Sequence, residues 1–275
     1  MEVDHATSLL VLSLGAFVIP LLSERVRLPA AIGEILFGIL ISQQALGLIQ
    51  PSPLIRFLAD FGFAFLMFLV GMEIDFSRIE VLGRRGVLVT GGAALLVFVL
   101  AAGVVGVTGQ HIFMAVVLGA MSVGLLLAAL KDQGEVKTDF GQTVLLTGSI
   151  GEFYTIIFLT AADIAVVHGV GGTFVFEFSK LLAIFGIAWL LLVLLRTLIW
   201  WFPGAFARVV TTHDASELGV RAAFALMLSF VAVAALLGVK TILGAFIAGA
   251  LFSFVFREKA AVESKLSSIG FGFFV

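Results

Sequence analysis

Four acidic residues fall inside long apolar runs of this chain: Glu34, Asp60, Glu152 and Asp163. A charged side chain at the centre of a bilayer costs roughly 3 kcal/mol or more, so such a residue is by default a functional one. Glu152 is the strongest candidate. Its run, Thr147-Gly148-Ser149-Ile150-Gly151-Glu152-Phe153-Tyr154-Thr155, is small and polar, and Ser149 and Thr155 stand three residues to either side, on one helix face. Gly148 and Gly151 let another segment come close. Burial disfavours the charged form of a carboxyl, so a proton and a metal ion compete for it. One site that takes either is what exchange of a cation for a proton requires. The competing reading is a structural Glu paired to a basic residue on another helix, but no Lys or Arg falls at matching depth.

A second polar interruption precedes it. Gly119-Ala120-Met121-Ser122-Val123-Gly124 breaks an otherwise apolar run at its middle. Close packing of helices on glycine accounts for such a run equally well. The alternative is a discontinuous helix, whose freed backbone groups coordinate ions near the midplane. Both features lie at similar depth in successive runs, which favours a cation and proton site made of Glu152, Ser149 and Thr155 with Ala120, Met121 and Ser122. Glu34, early in its run, and Asp163, three turns beyond Glu152, are secondary candidates. Glu73 and Asp75 stand beside Arg78 and read as an interfacial charge cluster. His5, His111, His168 and His213 fall at run ends or in loops and assemble no metal site. Neither a phosphate loop nor a nucleophile elbow nor a zinc motif is present, so an enzyme is not expected, and no cofactor is implied.

The elements that must carry these residues are membrane spans. The 275 residues are 61% hydrophobic and 12% charged, with a mean hydropathy of +1.21; a soluble domain carries roughly a quarter of its residues as charges. A net charge of -2 argues against nucleic acid as a partner. The absence of cysteine excludes disulfides and thiolate metal sites. Apolar runs of about 20 residues place nine spans near 6–22, 29–49, 54–74, 86–107, 111–130, 140–167, 174–201, 218–237 and 240–256, and a tenth run begins near Leu266. The acidic start Met1-Glu2-Val3-Asp4-His5 is the wrong flank for a signal peptide, so the first run is a retained span. Lys and Arg crowd the loops after the odd-numbered spans, which puts the N-terminus outside. Trp200 and Trp201 then sit at the cytoplasmic interface.

The chain also repeats itself. Residues 32–42 and 243–253 share Gly33 with Gly244, Gly38 with Gly249, Leu40 with Leu251 and Ser42 with Ser253. Residues 58–65 echo 266–273 at nearly the same offset. Chance recurrence of Gly among apolar residues explains one match better than two in register. The two copies cross in opposite directions, the inverted repeat of many secondary transporters. The first copy runs over about 29–167, linking helices over 174–237, and a second copy over 240–275 in one transmembrane domain. That second copy is incomplete, as in the N-terminal portion of a longer transporter.

With these stretches the sequence resembles the monovalent cation:proton antiporters, in the bacterial branch that includes Kef-type potassium efflux systems. The resemblance is carried by 27–49, by 66–75 (Leu-Met-Phe-Leu-Val-Gly-Met-Glu-Ile-Asp), by Ser122-Val123-Gly124, by 243–249 and by 270–275. It implies an all-α polytopic sodium/proton antiporter fold with discontinuous helices, elevator-like alternation of access, a homodimer and a bacterial inner membrane. Three departures stand out. The family's paired Asn-Asp, Asp-Asp or Gln-Asp aligns with Gly151-Glu152, a usual Thr aligns with Met121, and the chain ends before the second broken helix. The expected function is exchange of Na+ or K+ for protons, one for one and electroneutral because the acid has no acidic neighbour in sequence. The rival expectations are a fragment that is inactive or needs a partner chain, and a Na+-coupled solute symporter.

Overall fold

The computed structural model describes residues 2–26, 28, 30–43, 45–49, 52–74, 76–123, 126, 130, 133–135, 138–169, 171–201, 217–256 and 260–273. These are all helix and connection, with no strand among them. In chain order the helices are α1 (Glu2–Arg25), α2 (Ala30–Ile41), α3 (Pro53–Glu73), α4 (Phe76–Thr108), α5 (Phe113–Gly119), α6 (Asp139–His168), α7 (Gly172–Trp201), α8 (Leu218–Leu237), α9 (Thr241–Val255) and α10 (Ala260–Phe273). Six of them are long and apolar enough to cross a membrane, and α2 and α9 carry shorter apolar stretches.

Sequence chemistry sets the ends. Ser52 accepts the Ile55 N–H at 3.2 Å and Pro53 opens α3, where its missing N–H costs nothing. Thr138 caps α6 by accepting the Gly141 N–H at 3.0 Å. α4 is two helices joined at Gly83, whose φ of 62° suits a residue without Cβ; the Gly83-Arg84-Arg85 break falls there. The second span is shorter than its apolar length predicts. α2 stops at Ile41, and the segment to Ile49 folds back through bonds such as Gly47 N–H to Ser42 O and Ile49 N–H to Ile41 O. Twelve helical residues reach only about 18 Å. The last helix, conversely, begins at Ala260 rather than near Leu266.

Besides the α1–α2 pair, the helices pack in two groups, which meet where Phe153 of α6 lies against Phe246 of α9. α3, α8, α9 and α10 form one, with a core of Phe65, Phe68, Met72, Met227, Phe230, Leu243, Phe246, Phe252 and Leu266. α4, α5 and α6 form the other, and α7 touches both. The tightest crossing is α3 on α9. A Cβ on Gly71 would run into the Phe246 carbonyl, and one on Gly249 into the Phe68 carbonyl and the Met72 backbone. Backbone cannot swing aside as a side chain does. Gly249→Leu should therefore cost about 1–3 kcal/mol, read as a lower melting temperature in detergent. The same change at Gly92, where nothing lies within 4 Å, should leave the melting temperature in place. The crossing is fastened at its end by the Ser253 hydroxyl, which donates to the Ile74 carbonyl at 2.5 Å.

Candidate functional site

α6 runs unbroken from Asp139 to His168, and Glu152 is close to its middle. α5 does break: its helix ends at Gly119, and Ala120, Met121 and Ser122 are not helical. A break at this depth frees backbone N–H groups that no water satisfies. α6 supplies their acceptors. The Glu152 carboxylate takes the Val123 N–H at 3.3 Å, and the Thr155 hydroxyl takes the Met121 N–H at 3.1 Å while donating to the Gly151 carbonyl at 2.9 Å. Gly151 is what allows the approach, because a Cβ there would strike the Met121 sulfur. Gly148 faces Leu126 in the same way.

Glu152 is 9% exposed, and among the described residues no Lys or Arg pairs with it. One carboxylate oxygen is engaged by a single N–H at the long end of hydrogen-bond distances, which leaves the other to accept a proton or to ligate a cation. Ala120 and Ser122 are exposed beside it and Met121 is half-buried. This arrangement can hold a monovalent cation between a carboxylate, hydroxyls and unwound backbone.

The other candidates divide. Ser149 donates to the Leu145 carbonyl at 2.9 Å and lines a cavity on a neighbouring face of α6. Asp163 pairs with Lys240 at 3.0 Å, joining α6 to the start of α9 at the end away from that cavity. Glu34 belongs to the α1–α2 pair, where Gly33 abuts Ser23; the structure does not bring it to Glu152. Asp60 lies with Ser52, Arg56 and Phe57 around a separate small cleft. His111 accepts the Phe113 N–H at 3.2 Å at the start of α5.

Glu73 is the last residue of α3, where the sequence places it. It is half-buried there. Asp75, and the Arg78 side chain expected to cluster with them, lie outside the described residues.

The family model for the transmembrane sodium/hydrogen exchanger matches residues 12–275. The putative Na+/H+ antiporter YjbQ of Bacillus subtilis is 31% identical over 100% of this chain and 46% of its own length. The probable Na+/H+ antiporter 3 of Methanocaldococcus jannaschii is 28% identical, over 100% of this chain and 70% of its own. The Na+/H+-K+ antiporter GerN of Bacillus cereus is 29% identical, over 92% and 64% respectively. The chain therefore spans between 46% and 70% of the length of these relatives.

Proposed function

Since the chain belongs to the sodium/hydrogen exchanger family, we propose that it exchanges a monovalent cation for protons across the membrane, with Glu152 alternately protonated and cation-bound. It is a multi-pass integral membrane protein of the bacterial plasma membrane. The observation that carries the proposal is the buried Glu152 carboxylate, held without a basic partner among the described residues against the unwound Ala120–Ser122 segment. Protonated, it is neutral in a low-dielectric site; ionised, it binds a cation together with the Thr155 and Ser122 hydroxyls and the carbonyls of the break. Residues 29–167 and 240–275 as inverted copies, joined by the helices of 174–237, belong to the same proposal, as does a homodimer.

Everted membrane vesicles test it. With a proton gradient established, adding Na+, K+ or Li+ should collapse the gradient in vesicles that contain the chain and not in vesicles without it, and the most effective ion is the substrate. Silence for all three ions, with insertion verified, would contradict exchange by this chain. Net current on a solid-supported membrane would contradict one-for-one stoichiometry.

A further inference from the structure

Between α6, α7 and α9 lies a cavity of about 760 Å³, within the range of roughly 300–1,000 Å³ usual for small-molecule sites. It is not the cation site. Leu146, Ser149, Ile150 and Phe153 line it, whereas Gly151, Glu152 and Thr155 face the break on another side of α6. Among the described residues its walls are mostly aliphatic and aromatic, and Arg196 is the single charged residue there. A hydrated cation gains nothing in such a place, and the arginine would repel it.

The placement of Arg196 identifies a better occupant. It lies one turn before Trp200 and Trp201, which are 77% and 66% exposed and mark the interface that the charge distribution makes cytoplasmic. The guanidinium stands 5.8 Å from the Phe254 ring centre, and among the described residues no carboxylate pairs with it. From Arg196 the cavity follows α7 down to Phe185, eleven residues and so about 16 Å. That is the depth of one leaflet of a hydrocarbon core about 30 Å thick. A cation at headgroup level above an apolar slot one leaflet deep complements an anionic amphiphile, and basic pockets between spans on the cytoplasmic side bind anionic lipid headgroups.

We propose that this cavity binds an anionic phospholipid of the cytoplasmic leaflet, its phosphate on Arg196 and an acyl chain along Phe185 to Leu192 against Phe246 to Phe254. The site stands independently of the exchange reaction, since its readout is bound lipid.

Native mass spectrometry of the whole chain, released from nanodiscs of equal phosphatidylglycerol and phosphatidylcholine, tests it. Wild type should retain phosphatidylglycerol preferentially. Arg196→Gln should lose on the order of fivefold of that preference, while Arg196→Lys keeps most of it. Ala250→Phe, which fills the slot, should lose retention of both lipids with the melting temperature unchanged. Undiminished preference in Arg196→Gln would overturn the headgroup assignment, and normal retention in Ala250→Phe would overturn the site. If Ala250→Phe melts early, Leu192→Trp fills the same slot from α7 and is read by the same two outcomes.

Discussion

Glu152→Gln should abolish cation-driven proton movement while leaving the protein folded. Gln keeps the shape of the side chain and an oxygen to accept the Val123 N–H now held at 3.3 Å, so the break retains its anchor. What disappears is the charge. A unit charge about 4 Å from a monovalent cation is worth about 4 kcal/mol at an effective dielectric constant of about 20, or roughly a thousandfold in cation affinity. A carboxamide also cannot carry the exchanged proton. The check is gradient collapse in vesicles beside a melting curve in detergent. Loss of transport with an unchanged melting temperature is expected. Retained exchange would move the site elsewhere, and Glu73 would be the next residue to test.

The second large effect belongs to Thr155. Its hydroxyl accepts the Met121 N–H at 3.1 Å, thirty-four residues away in sequence, and is one of two side-chain acceptors for the freed amides of the break among the described residues. Thr155→Val is close in shape but orphans that amide. A fully buried donor left unsatisfied costs about 1–3 kcal/mol and this half-buried one belongs at the lower end, so apparent cation affinity should fall by on the order of fivefold. Thr155→Ser restores the oxygen and should restore most of the affinity. Cation titrations of vesicle transport for the three proteins separate this from a packing effect, because a packing role would make Ser no better than Val.

Much of this site is legible in sequence because its signals are local. Glu152 stands out as an acid in mid-span, and Gly119-Ala120-Met121-Ser122 as a polar, small-residue interruption; the helix does end at Gly119. The start of α8 at Leu218 and its end at Leu237 follow directly from the apolar run. Hydropathy is blind where apolar residues leave the helix. Leu46, Leu48 and Ile49 extend the second run, yet the chain turns after Ile41 because Ser42 begins a set of short-range backbone bonds. Nor does any window reveal that Met121 meets Thr155, or that Val123 meets Glu152. Those relations depend on where whole helices cross, and the α3–α9 crossing is decided by glycines whose partners lie about 180 residues away. The aligned glycines at 33 and 38 and at 244 and 249 looked alike in sequence. In the structure Gly249 lies against the α3 backbone, whereas nothing lies within 4 Å of a Cβ on Gly38.

The most direct test of one site shared by proton and cation is the pH dependence of the apparent KM for the transported ion in proteoliposomes. If the two compete for the Glu152 carboxylate, KM rises towards tenfold for each unit of pH lowered on the acidic side, while the maximal rate at saturating cation is preserved. A KM that stays constant as pH falls, with only the maximal rate declining, would mean that protons and cations bind at separate places, and would contradict the account.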